Sequence, residues 1–566
     1  MAKLLIAAAV ASLIPGLTFA QNVPAEADRL LATGKLWVTV KYFHPYLAYR
    51  DIDWDKALAE ALPRIRSAAT AAEYAAAVQS MLEALKDPYT RVGMATASAE
   101  NHTSEQRVWI HSGLLHPAFL IRTSSETQTV AISLGGAVEA TVRLSEPATL
   151  TAAPAPIPDR AYVESPYPAV EYRILAAYKV WAVFHYFFAY RDLMDEDWDD
   201  LLPMYLPKFI AAKDAREYDL TIAEMLTHVA DSHASVESKA LSEYFGVAPV
   251  GLRLRLIEKQ PVITQVLDPE AVKAGVRTGD IVKKVDGETI LDRFKREAQY
   301  VAASTPQALG AALMTRILNG PEGSMAMLTI EDAIGNRKDV SVTRSTSFRS
   351  GLAAQRDGET MKLLPGNIGY ADLEHLKASD VDSMFEKFRS TKAIVFDARG
   401  PSGDAAAGLA TRLTHERDAP VAVFTGPLTM NPDVPQSGIT THTSSYFFVQ
   451  TIPNSSEWKY NNKTVLLIDE RTIDQAEHTG LFLEAANKTA FIGSSSAGAD
   501  GDVNEFVVPG GVTIRFSARD VRNANGGKLQ RLGLQPSVSV SPTIKGVRDG
   551  RDEVLEKALE YLAKPQ

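Results

Sequence analysis

The 566 residues include no cysteine. Disulfides, thiolate metal sites, a cysteine nucleophile and a lipidated N-terminal cysteine are all excluded, which leaves chemistry to Ser, His, Asp, Glu, Lys or Tyr. Basic charge is also scarce. Lys and Arg total 59 against 69 Asp and Glu, for a net charge of −10, so the chain offers no footprint for nucleic acid or an anionic membrane. The 11 histidines are scattered. No H-E-x-x-H, Asp-rich calcium loop or glycine-rich phosphate cradle is present, so neither a metal nor a cofactor is expected. After the first twenty residues no apolar run is long enough to span a bilayer. What is present is ordinary for a folded protein: 46% apolar and 23% charged residues, with length for about four domains.

Residues 1–20 read as an export signal. Lys3 precedes the apolar stretch Leu4 to Leu17, and Thr18-Phe19-Ala20 forms a small-x-small cleavage site before Gln21. The mature chain is expected to be exported, periplasmic or secreted. An internal repeat follows: Trp37, Phe43, Tyr46, Trp54 and Asp87 recur as Trp181, Phe187, Tyr190, Trp198 and Asp231, each 144 positions later. Aromatic and apolar residues at helical spacing predict two small helical bundles, residues 21–92 and 165–244. The copies differ at their ends. Asp87-Pro88-Tyr89-Thr90 closes the first, and Asp231-Ser232-His233-Ala234 closes the second. Residues 93–164, rich in Thr, Ser, Val and Ala, predict a small β module and a Pro/Ala linker.

Residues 245–345 alternate apolar positions and place glycines at turns. Gly251-Leu252-Arg253-Leu254, the helix start Pro269-Glu270-Ala271 and the hairpin Gly279-Asp280-Ile281-Val282 together resemble a PDZ domain. The resemblance implies that an extended peptide adds as a strand, with Gly251, Leu252, Arg253 and Leu254 at the terminal carboxylate. From residue 346 to 566 buried strands alternate with helices, an α/β pattern. The strand Ala393 to Phe396 runs into Asp397-Ala398-Arg399-Gly400, and Val465 to Ile468 runs through Asp469-Glu470-Arg471-Thr472 to a helix near Asp474-Gln475-Ala476-Glu477. If the two turns adjoin, their amides could serve one oxyanion.

D-x-R-G-x-x-G, E-R-T-x-x-Q-A-E, Ala497-Gly498-Ala499-Asp500-Gly501 and Pro509-Gly510-Gly511 resemble the carboxyl-terminal-processing (tail-specific) and tricorn-core serine peptidases. The fold this implies is multidomain α+β: helical bundle repeats, a β module, a PDZ domain and an α/β core of the crotonase/ClpP type. By the same resemblance, Ser232 and His233 carry over as the family's Ser-His pair, and the amides of Gly400 and Gln475 as the oxyanion hole. Gln530 falls where tricorn-like members carry a Glu that helps orient that pair. No cofactor is implied, and the partner is a peptide or protein C-terminus.

The nucleophile position itself holds Asp474. A carboxylate attacking an amide would form a high-energy anhydride and would oppose charge development on the neighbouring oxygen. Asp474 with Glu477 also fits a capping box. Three readings stay open: a peptide-binding pseudopeptidase; a peptidase using another serine (Ser232, Ser402 or Ser494 to Ser496); and an active site inactivated by substitution at 474. The amphipathic stretch Asp549 to Lys564 serves packing or a homo-oligomer contact.

Overall fold

The computed structural model describes residues 23–93, 105–124, 127–156, 158–432 and 443–564. The export signal at 1–20 lies outside the described residues. Among those described, no helix is long and apolar enough to cross a membrane.

Helices Glu26–Phe43, Trp54–Ser67 and Ala71–Leu82 precede the linker, and Val170–Phe187, Leu201–Ala211 and Ala215–Leu226 follow it. The outer helices of each set share bounds at an offset of 144. Local bonds repeat with the same spacing. Arg29 Nε donates to Ile65 O and Arg173 Nε to Phe209 O; the indoles of Trp54 and Trp198 donate to Trp37 O and Trp181 O. Thr70 and Asp214 each cap a helix by accepting an amide N–H three residues on. The two sets share one apolar core. Tyr178 crosses between them, donating to Leu30 O at 2.6 Å, and its ring fills the space that a side chain at Gly34 would need.

The described strands within residues 93–164 pack onto distant parts of the chain rather than only on one another. Gln106–Ser112 pairs with the core strand Pro420–Thr429 through Leu428↔Ser112 and Thr429↔His111. Thr129–Gly135 and Val138–Arg143 form a hairpin whose Val130, Ile132 and Val142 join the helical core. Their alternating pattern predicted strands correctly but carries no information about which distant strand supplies the partner.

Residues 252–343 form a six-stranded sheet that ends on Leu252–Ile257. This strand pairs with Gln260–Val266 and leaves its other edge unmatched by any described strand. The helix Pro306–Met314 packs beside it so closely that a Cβ on Gly310 would sit 2.7 Å from Leu256 Cδ1.

The C-terminal core is a six-stranded sheet in the order Met361–Leu364, Ile368–Asp372, Ala393–Asp397, Lys463–Ile468, Ala490–Gly493, Val538–Ser539. All pairs but the first are parallel. Ala393–Asp397 and Lys463–Ile468 are buried neighbours, and the loops leaving their C-terminal ends meet at the site, where open parallel sheets commonly place ligands. The hairpin Val503–Val508 and Val512–Ser517 reaches away from this sheet. It pairs with Ser235–Glu237 and buries Phe506, Ile514 and Phe516 in the helical core. That insertion brings the C-terminal core to His233.

Candidate functional site

Asp474 stands between the strand Lys463–Ile468 and the helix Gln475–Asn487, with φ 54° and ψ −124°. A non-glycine residue in this region costs about 1–3 kcal/mol and persists only where its surroundings fix it. They do so here: Asp474 N donates to Ala499 O at 2.8 Å and Ala497 N to Thr472 O at 2.9 Å, clamping the turn to the 497–499 loop. The turn therefore projects its side chain outward, and the Asp474 side chain keeps 55% exposure. It lines a cavity of about 630 Å³ with Phe424, Gln450, His478 and Phe482.

The expected capping box does not form. Asp474 makes no side-chain cap bond in its strained conformation. Glu477, fully buried, turns instead to the 496–499 loop, accepting from Gly498 N and Ala499 N at 2.8 Å each and from the Ser496 hydroxyl. Burial pushes Glu477 up to about 8 against those three donors. Burial also raises Asp474, with His233 pulling the other way.

His233 Nε2 lies 3.8 Å from Asp474 Oδ1, buried and without a hydrogen-bond partner. Its other nitrogen, Nδ1, contacts Ser517 Oγ at 2.9 Å. The Ser517 hydroxyl donates to Asp231 Oδ1 at 3.0 Å, so it can only accept from His233. The proton of neutral His233 is therefore on Nδ1, and the Nε2 lone pair faces residue 474. Asp231 is fully buried and also accepts from Ser517 N at 3.0 Å and His233 N at 3.1 Å. Asp231 was legible only as a repeated residue matching Asp87. Ser517 carried no local signal, because its role depends on a hairpin that pairs with the helical domain.

Ser232 does not join His233. It exchanges bonds with Ser304 in both directions, Ser232 N to Ser304 Oγ and Ser304 N to Ser232 Oγ, each 2.9 Å. Ser232 and His233 are the two central residues of a turn closed by Ala234 N donating to Asp231 O at 3.1 Å, and their side chains leave it toward different partners. Gln530 reaches the same pair, donating to Ser304 Oγ at 3.1 Å and more loosely to Asp231 Oδ1 at 3.4 Å. The negative charge behind His233 thus comes from Asp231. Of the other serines, Ser495 donates to Gln535 and Ser496 to Glu477, Ser494 lines a different cavity, and Ser402 shares the Asp474 cavity. None of these hydroxyls is bonded to His233 Nε2.

The two expected oxyanion donors are engaged. Gly400 N donates to Ala398 O at 2.9 Å, and the Gln475 amide works to favour the ionised form of the Asp474 carboxylate beside it. Gly400 has φ 150°, and a Cβ there would sit 2.9 Å from Gln355 Cγ. The turn is anchored by Asp397, which accepts from Arg399 N, Nε and Nη2 and from Tyr370 Oη; Arg399 pairs onward with Asp552. These partners hold the buried Asp397 carboxyl well below its ordinary range despite the cost of burial. Asp469 is held down likewise by Arg471 and by Arg255 of the edge strand.

That edge strand borders a second cavity, of about 620 Å³, lined by Leu252, Arg253, Leu254, Met314, Ile473 and Ala497 among others. It runs from the strand–helix groove to the Asp474 turn. The terminal-carboxylate site expected at Gly251 to Leu254 is closed at its centre: Leu252 N donates to Val250 O at 2.8 Å, and Leu267 N and Asp268 N both donate to Gly251 O. Arg253 is spent on the carbonyls of Gly351, Leu352, Ala354 and Gln355. At the far end of the groove Thr305 Oγ1 donates to Ala497 O and Gln307 Nε2 to Ser496 O. The groove helix and the loop behind Asp474 are thus bonded directly.

Among the described residues Asp372, Glu374 and His375 approach one another. Asp372 accepts from His375 Nδ1 and from Arg356, which accounts for the cluster without an ion.

Residues 367–540 match the sequence profile of peptidase family S41. No curated protein matches the chain in sequence. Among solved structures, mature CPAF superposes with 12% identity over 70% of this chain and 96% of its own, TM-score 0.52. Mature CPAF complexed with lactacystin gives 13% identity over 69% and 97%, TM-score 0.50. A photosystem II D1 C-terminal processing protease gives 17% over 65% and 93%, TM-score 0.38. The likeness to CPAF is one of fold.

Proposed function

Residues 367–540 match peptidase family S41, and from that match we propose that the chain is an exported pseudopeptidase of this family that binds extended peptides and does not cleave amides. The observation that carries this reading is Asp474. It occupies the elbow facing His233 Nε2, where amide hydrolysis needs a hydroxyl whose proton the imidazole can take. The engaged Gly400 amide supports the same reading, since an oxyanion would find one of its donors already used.

The peptide site is the groove between the edge strand Leu252–Ile257 and the helix Pro306–Met314, in a unit that resembles a PDZ domain. Strand addition along the free edge supplies backbone hydrogen bonds, and Leu252 and Leu254 offer apolar contacts. With Leu252 N engaged, an internal extended segment fits better than a terminal carboxylate. Lys3, the apolar stretch behind it and the Thr18-Phe19-Ala20 site support export to a periplasm or the exterior.

The test uses the purified protein with a fluorescent extended peptide and with an unstructured test protein. Anisotropy should report binding while the test protein stays intact. Cleavage that disappears in His233→Ala would overturn the reading.

A further inference from the structure

A carboxylate that cannot usefully attack an amide is a competent nucleophile at a saturated carbon, because displacement there gives an ordinary ester rather than an anhydride. The surroundings of Asp474 fit such chemistry at each stage. Its side chain is accessible at the mouth of the 630 Å³ cavity, on a strained elbow that limits its freedom. The Gln475 amide follows Asp474 at the helix start and favours its ionised carboxylate, so it would also favour an oxyanion formed on Asp474 itself. Nearby, the Nε2 lone pair of His233 is buried, unpartnered and fixed from behind by Ser517 and Asp231. On the cavity wall His478 Nδ1 contacts Asp500 Oδ2 at 2.9 Å and Nε2 contacts Gln450 Oε1 at 2.7 Å. Asp500 can only accept and Gln450 presents its oxygen to Nε2, an arrangement that favours the doubly protonated ring; the Gln450 bond is the one a departing alkoxide would replace. Burial works against that charge, but Asp500 and Asp474 hold the histidine above its ordinary range.

We propose that Asp474 is the nucleophile of an epoxide-opening hydrolysis, acting with His478 as acid and His233 as base. Asp474 Oδ attacks a ring carbon and the ring C–O bond breaks. The departing alkoxide takes a proton from His478, leaving a hydroxyalkyl ester on Asp474. Water then adds to the ester carbonyl while His233 Nε2 takes its proton, with the Gln475 N–H on the developing oxyanion. The acyl C–O bond breaks, the diol leaves protonated, and the carboxylate and both histidines return to their starting states through solvent. The sum is epoxide plus water giving a vicinal diol, with no other reactant.

The walls define the substrate class. Phe424 and Phe482 with Ala406 and Ala407 favour an aryl or alkyl substituent, and Asp404, Asp500 and Asp502 oppose an anionic one. A neutral aryl epoxide fits best.

The test incubates full-length protein, in excess, with styrene oxide in ¹⁸O-labelled water. The expected result is diol whose first-turnover oxygen comes from Asp474 and so lacks the label. Asp474→Asn should abolish the reaction. His233→Ala should accumulate a single ester, seen as one added epoxide mass on the peptide carrying Asp474, and slow turnover on the order of a hundredfold or more; His233→Gln serves if the alanine variant does not fold. Two outcomes overturn the proposal: labelled oxygen in the first-turnover diol, or no diol above the Asp474→Asn background together with no adduct in the His233 variants. Neither involves a peptide, so the peptide-binding reading stands or falls separately.

Discussion

His233 Nε2 faces Asp474 Oδ1 across 3.8 Å, a base set toward a residue that has no proton to give it when ionised. Replacing the carboxylate with a hydroxyl completes the missing donor. Asp474→Ser should therefore give measurable hydrolysis of a fluorescent unstructured protein where the parent gives none. The activity should be weak. With Gly400 N still bonded to Ala398 O, one oxyanion donor is lacking, which costs about a hundred- to a thousandfold. An Asp474→Ser protein that stays inert while peptide still binds would show that decay extends beyond the one residue.

Asp231 is the charge on which His233 rests. Asp231→Asn keeps the shape but places an amide N–H₂ among donors from Ser517 and His233. A loss of about 1–3 kcal/mol is expected, read as a lower urea midpoint. In the Asp474→Ser background, Ser517→Ala should lower kcat with little change in KM, and Ser517→Thr should recover most of it. Equal effects of Ala and Thr would remove Ser517 from the relay.

Arg255 ties the groove strand to the strand end that leads into residue 474, through Asp469 at 3.0 Å and Glu470 at 2.7 Å. Arg255→Ala strips one partner from a buried carboxylate that keeps Arg471. The expected cost is about 3 kcal/mol or less, and peptide affinity should fall with it. Calorimetry should show the unit spanning 252–343 melting earlier than the rest.

Glu477 predicts a pH dependence. Its ordinary value is 4.5 and burial pushes it up to about 8, so the folded chain keeps this proton where the unfolded chain releases it. Unfolding then sheds a proton, and the Glu477 contribution lowers stability progressively as pH rises between those two values. Thermal midpoints across that window should fall with pH. Glu477→Gln should be less stable throughout, since its amide N–H₂ meets backbone donors, yet lose most of the slope.

Much of the fold was legible because its signals are local. The aromatic stripes and their recurrence after 144 positions marked the helices, and buried apolar runs marked Ala393–Asp397 and Lys463–Ile468. The Asp474 position and His233 were legible through motifs. Ser517 was not, nor was the engagement of Ser232 by Ser304, because both depend on pairing between segments remote in the chain. The capping box at Asp474 and Glu477 failed for a related reason. Local pattern favoured it, but three donors from the 496–499 loop claimed the Glu477 carboxylate.

The contact between Ser517 and Asp231 joins residues 286 positions apart. A bond of that span forms only after nearly the whole chain has emerged, and closures over such distances are slow to find. The histidine therefore acquires its fixed orientation among the last events of maturation. A chain carried across a membrane in extended form would complete its journey before this centre existed, and loss of the final hundred residues would both unset the imidazole and strip Phe506, Ile514 and Phe516 from the helical core.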